Sequence, residues 1–366
     1  MMSFAERTGL TSSQPKQPER RYLWTDAFAV TNFLGLSRAT GERHYSDLAL
    51  LLVDRVHHAL GKHRPDDARK GWLSGLDPEQ GEGHPTRGGL RIGKQLPERR
   101  PDQPPDQELE WDRDGQYFHY LTQWMHALNQ VALWTRRPVF NLWSRELADT
   151  AHRAFVQGAP ARRRMFWKMS IDLTRPLVAS MGQHDALDGY VTCLELELTA
   201  SPSPERSGPK LDGAASDFAS MIEDRQLATD DPLGIGGLLL AAYRVQRLLS
   251  AGASAQKGLL EKVLTGALSG LDTYAQEGAL REPAETRLAF RELGLAIGLH
   301  AVLSLRGEPR SLLRQFDRYA PLEAQIISFW LDPSHQKSAS FMEHLDINQV
   351  MLATSLAPEG YLGGAL

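Results

Sequence analysis

Residues 23–36 read LWTDAFAVTNFLGL, a helix-length run that is apolar on almost every face and carries one carboxylate, Asp26, near its start. Such a helix has no wet side and has to be enclosed by neighbours. The next run behaves differently. Over residues 45–60, Tyr45, Leu48, Ala49, Leu52, Val56, Ala59 and Leu60 share one stripe, while Asp47, Asp54, Arg55 and His58 lie elsewhere. That three-and-four spacing marks an amphipathic helix with one buried face. An enclosed helix followed by an outer wall is one hairpin, and the chain repeats it.

Residues 115–129 (GQYFHYLTQWMHALN) are crowded and aromatic, and residues 139–157 place Phe140, Trp143, Leu147, Ala151, Ala154 and Phe155 on a stripe. A third pair is expected from 163–180, kinked at Pro176, with 186–199. Residues 200–213 form a surface linker before a short helix near 215–227. The fourth pair is 232–249 with 256–272, where Gly234, Gly236 and Gly237 allow close backbone approach. The fifth is 286–303 with 309–319, and 321–331 with 345–356 complete a sixth. About twelve helices without a strand run predict an all-α toroid of six hairpins, because the spacing is too uneven for an open solenoid. We expect a flexible leader over residues 1–20, then a single domain over 21–366 with a long rim loop at 61–110.

Composition narrows the class. With 41 basic and 45 acidic residues there is no general field for nucleic acid or anionic membranes. The single cysteine, Cys193, excludes an intrachain disulfide, and no run reaches the roughly 18 apolar residues that a membrane span requires. These features point to a soluble cytoplasmic chain with neither a nucleic-acid nor a membrane partner.

Against this background the chain resembles the six-hairpin glycosidase-like superfamily, the (α/α)6 barrels that include many glycoside hydrolases and the N-acetylglucosamine 2-epimerases. Trp24-Thr25-Asp26 is similar to the WTDG segment of unsaturated glucuronyl hydrolases, with Ala27 in place of the glycine. The resemblance implies a carbohydrate substrate in a funnel at the rim where the inner helices begin, lined by acids and aromatics.

Carboxylates do gather at the expected helix starts: Asp26, Asp112 with Asp114, Asp185 with Asp188, and Asp230 with Asp231. Glycoside hydrolysis requires two carboxyl groups about 5 Å apart for retention or roughly 6.5–9.5 Å for inversion. The same residues also serve as helix caps. The densest segment is Glu110 to Tyr120, where Asp112 and Asp114 are flanked by Trp111 and Tyr117 and followed by His119. His184 stands beside Asp185 at a turn, without the spacing of a metal motif. In the rim loop His84, Arg87, Arg91 and Lys94 could recognise a sugar anion. Trp330 and the run Glu343 to Asp346 are candidates from the last hairpin.

The leading expectation is a glycoside hydrolase acting on a small or anionic oligosaccharide. Asp112 or Asp114 is its general acid, Asp26 or Asp185 its base, and Trp24, Trp111 and Tyr117 its sugar platform. No metal or cofactor is expected. The alternatives are a sugar epimerase with His184, His119 or His344 as bases, and a non-catalytic sugar-binding scaffold.

Overall fold

The computed structural model describes residues 1–11, 20–159, 162–202, 208–307 and 309–363, with Gln107 described by its backbone alone. It divides into two compact units, residues 2–223 and 224–366.

In the first unit the inner helix Leu23–Thr40 buries 13 of its 18 residues and ends at Gly41, whose left-handed φ of 75° terminates the run. Its outer partner Arg43–Leu60 buries Ala49, Leu52, Val53, Val56, His57 and Leu60, a stripe of helical spacing. The second hairpin pairs Phe118–Thr135 with Val139–Phe155. Both pairs follow the sequence pattern.

The third hairpin corrects it. Residues 163–180 are not an inner helix: they form short strands at Arg164–Met165, Lys168–Met169 and Pro176–Val178. Apolar density without a helical stripe cannot separate strand from helix. Pro176, read as a kink, opens an edge strand, where a missing N–H costs no ladder bond. The inner helix is instead Asp185–Leu198, which buries ten of its 14 residues, and its outer partner is Asp212–Ile222.

In the second unit Pro232–Ser250 packs against Leu259–Glu277 and against Ala289–Ser304. Of Gly234, Gly236 and Gly237, Gly236 alone makes the expected close backbone approach; Gly234 meets the Thr229 side chain and Gly237 meets nothing within 4 Å. A Cβ at Gly236 would lie 2.3 Å from the Gly294 carbonyl oxygen, and one at Gly298 would lie 2.6 Å from that of Gly236. These two inner helices touch backbone to backbone.

The last pairings are shifted by one helix. Ala320–Leu331 buries only Leu322, Ile326 and Trp330, so it is the outer partner of Ala289–Ser304, and Leu345–Leu356 is a sixth inner helix. Residues 309–319, read as the fifth outer helix, instead hold a short α-turn, Arg310–Leu313, followed by a 3-10 helix, Arg314–Tyr319.

Two further segments are ordered. The leader begins with a helix, Met2–Arg7, that buries Phe4 and Ala5, and Arg21 donates to the Thr8 carbonyl at 2.5 Å; residues 12–19 lie outside the described residues. The rim loop is folded. Leu90 and Ile92 are fully buried, the Ile92 carbonyl accepts from Leu23 N–H at 3.1 Å, and Arg91 N–H donates to the Leu60 carbonyl at 3.0 Å.

Candidate active site

The densest gathering of aromatic and titratable groups in the first unit lies at the starts of its first two inner helices. Tyr22 and Tyr117 occupy the extended positions immediately before those helices, which leaves their side chains at the helix heads. The strand Gln116–Tyr117 pairs antiparallel with Lys168–Met169, setting Tyr117 opposite Lys168 and bringing Trp167 alongside. Trp167, Tyr117 and His119 lie within 15° to 27° of parallel, with centroids 5.3 to 6.1 Å apart. Trp111, 52% exposed, meets Trp167 edge-on at 4.8 Å and extends the aromatic surface outward. On the inner side the hydroxyls of Tyr22 and Tyr120 are 2.5 Å apart.

Burial controls the protonation states here. It raises Tyr22, Tyr117 and Tyr120 above the usual phenol range, so all three are hydroxyl donors at neutral pH. It also lowers His119 to about 4. Trp167 Nε1 donates to His119 Nδ1 at 3.3 Å, so the neutral ring carries its proton on Nε2. With Nδ1 accepting from Trp167 and Nε2 protonated, the neutral His119 ring has no free lone pair, which argues against its reading as a proton-abstracting base.

Lys168 is fully buried and donates to the carbonyls of Glu110 and Arg113 at 2.5 and 2.8 Å and to the Glu110 carboxylate at 3.3 Å. Lys94 Nζ stands 5.5 Å from the Tyr22 ring centroid. Burial lowers Lys94 against the opposing fields of Asp112 and Asp114.

Most of the aspartates do other work. Asp26 is 2% exposed, accepts from Tyr22 N–H at 3.1 Å and lies 3.5 Å from Arg21, so it caps the first inner helix. Asp114 is completely buried. It accepts from Arg91 at 2.5 Å, Arg64 at 3.3 Å and the Gly93 and Gly115 amides at 3.0 and 3.1 Å, which makes it the anchor of the rim loop rather than an open proton donor. Asp185 is buried in the first turn of the third inner helix, with half-buried His184 immediately before it. Asp112 is exposed and remains beside the aromatic cluster.

Other candidates lie in structural settings. Trp24 is 6% exposed and packs on Phe28, which removes it from the sugar platform. His84 and Arg87 both hold Glu146 of the second outer helix, at 2.7 and 2.9 Å. All three arms of the Arg91 guanidinium are engaged by Asp114 and the carbonyls of Lys62 and Ala59. Trp330 is fully buried in the second unit and donates to Glu292 at 2.7 Å. Near it, Arg287 makes a bidentate pair with Glu292 at 2.8 and 2.6 Å. At the helix starts of that unit Arg291 pairs with Asp231 at 2.7 Å, and Phe290 meets His344 edge-on at 5.7 Å.

Trp111, Asp112, Tyr117 and His119 therefore come together, joined by Tyr22, Tyr120, Trp167 and Lys94. Trp167 was concealed by reading 163–180 as a helix, and Tyr22 stands one residue outside the apolar run. No group of His, Cys, Asp and Glu among the described residues is arranged to hold a metal ion. No helix among them is long and apolar enough to cross a membrane.

No protein-family model matches the chain, and no curated protein does. Solved structures do. The cellobiose 2-epimerase of Bacillus thermoamylovorans B4167 is similar at a TM-score of 0.51 and 8% identity, over 92% of this chain and 88% of that one. A sugar epimerase from a ruminal bacterium is similar at 0.53 and 10%, over 97% and 99%. The cellobiose 2-epimerase of Spirochaeta thermophila DSM 6192 gives 0.52 and 12%, over 90% and 86%. At this identity the likeness concerns the fold, which is the all-α, six-hairpin (α/α)6 architecture expected from the helix pattern.

Proposed function

We propose that this protein is a carbohydrate-active enzyme that epimerises a sugar, with its reaction centre at the Tyr22, Tyr120, His119 and Trp167 cluster. The observation that carries this reading is the likeness to three sugar epimerases across nine-tenths or more of the chain. The site agrees with it in kind. Epimerisation beside a carbonyl requires hydrogen-bond donors on the carbonyl oxygen and a base at the adjacent carbon. The Tyr22 and Tyr120 pair uses one hydroxyl proton internally and leaves the other for the sugar oxygen. His119 Nε2–H is a second donor, and half-buried Trp167 with exposed Trp111 beside it offers the stacking face, while Tyr117, 3% exposed, supports Trp167 from beneath and is not itself a sugar platform. With His119 fixed as a donor, His184 is the candidate histidine of this unit left for the proton-abstracting role.

The hydrolase reading has less support, because Asp26, Asp114 and Asp185 are buried and only Asp112 of the four is exposed. Incubation with aldoses and cellobiose in heavy water separates the classes. An epimer with one deuterium at the carbon next to the reducing carbon is expected. Products heavier by one water across a broken linkage would transfer the site to hydrolysis, and unchanged sugar would leave a binding role.

A further inference from the structure

The cations of this rim differ in one respect: whether the charged head already has a partner. Arg87 is held by Glu146, and Arg91 by Asp114 and two carbonyls. Arg64 is held by Asp66, Asp114 and the carbonyls of Lys94 and Gln95. Arg99 and Lys168 converge on Glu110. Lys94 is the exception. Its ammonium faces the Tyr22 ring and feels the fields of Asp112 and Asp114, but makes no hydrogen bond or ion pair with the described residues. The backbone of the same residue is clamped on both sides: Arg64 donates to its carbonyl at 2.7 Å, and its N–H lies 3.4 Å from the Asp114 carboxylate. A half-buried ammonium on a fixed backbone, within the fields of Asp112 and Asp114 but bonded to neither, keeps its hydrogen-bond donors for an anion that arrives from outside.

We infer that Lys94 selects a sugar bearing a carboxylate, as in a uronic acid, by pairing with that group while the ring stacks on the Trp167 and Trp111 surface. This rests on the proposed sugar site and names its substrate class. A single ammonium is a point donor suited to a monoanion. A phosphate dianion is ordinarily gripped by several donors at once, and the neighbouring cations are already engaged. Of the three loop cations that the sequence offers, Lys94 is the one available.

The test is calorimetric binding of glucose, glucuronate and glucose 6-phosphate to the wild type, to Lys94→Gln and to Lys257→Gln, an exposed lysine of the other unit. Glucuronate should bind at least about tenfold more tightly than glucose, as one charge-assisted hydrogen bond provides. Lys94→Gln should abolish that ratio while glucose affinity stays within about twofold, and Lys257→Gln should preserve it. Equal affinities, a ratio that survives Lys94→Gln, tightest binding of the phosphate, or no binding of any sugar would each overturn the inference. Deuterium exchange is read separately on the same sugars. Its absence alongside an intact, Lys94-dependent ratio would overturn the epimerase reading and leave this one standing.

Discussion

The hydroxyls of Tyr22 and Tyr120 meet at 2.5 Å although 98 residues separate them in the chain. Each tyrosine stands at the head of a different inner helix, so the contact reports the register of the first hairpin against the second. In the proposed reaction the pair delivers a hydroxyl proton to the sugar oxygen. Tyr22→Phe and Tyr120→Phe should each lower kcat by about a hundredfold with little change in KM, the pattern of a contact made in the transition state. Thermal unfolding checks that the fold survives. A Phe variant with full turnover would confine the pair to structure.

Asp112 and Asp114 are two positions apart and should respond in opposite ways. Asp114→Ala leaves buried Arg91 without its counter-ion and should cost about 3–5 kcal/mol of stability. Asp112→Ala removes an exposed carboxylate and should change stability by less than about 0.5 kcal/mol. Denaturant titration of both variants checks this. Equal losses would contradict the anchor role.

Acid should destabilise the fold through two histidines that are kept neutral. Burial lowers His57 to about 3, with Trp124 Nε1 donating to its Nε2 at 3.2 Å, and lowers His119 to about 4. The unfolded chain takes up these protons near pH 6.5 and the folded chain does so only further down, so stability is complete above about pH 6.5. It falls as pH drops toward about 4 for His119 and about 3 for His57. Unfolding free energy measured across this range should slope accordingly, and His57→Gln should flatten the slope. An unchanged slope in that variant would remove His57 from the account.

Gly236→Ala places a methyl group 2.3 Å from the Gly294 carbonyl oxygen, where backbone rather than a flexible side chain has to move. A loss of about 1–3 kcal/mol is expected. Gly237→Ala meets nothing within 4 Å and should be neutral or slightly stabilising. Thermal melts of the two variants make the comparison.

The inner helices were legible where enclosure on all sides demands apolar residues on all faces, as in LWTDAFAVTNFLGL. The stretch 163–180 was not, because a short sheet packed on helices is as apolar as a helix and its aromatic density carries no period. Trp111, Tyr117 and His119 could be singled out because they cluster in sequence. The pairing of Tyr22 with Tyr120, and of Trp167 with His119 across 48 residues, depends on strand and helix register that no local pattern records. The aspartates misled for a chemical reason. A carboxylate that caps a helix or anchors a loop has the same identity and the same place in sequence as one that moves a proton, and only burial and partners distinguish them.

Asp114 holds the rim loop through Arg91, Arg64 and the Gly93 amide, and it stands two residues before the strand that presents Tyr117. Detaching the loop would strip the counter-ions from a buried carboxylate three residues from the aromatic cradle. Local opening of residues 90–94 and of residues 114–120 should therefore share one free energy, and amide hydrogens in both segments should exchange with solvent as a single cooperative unit.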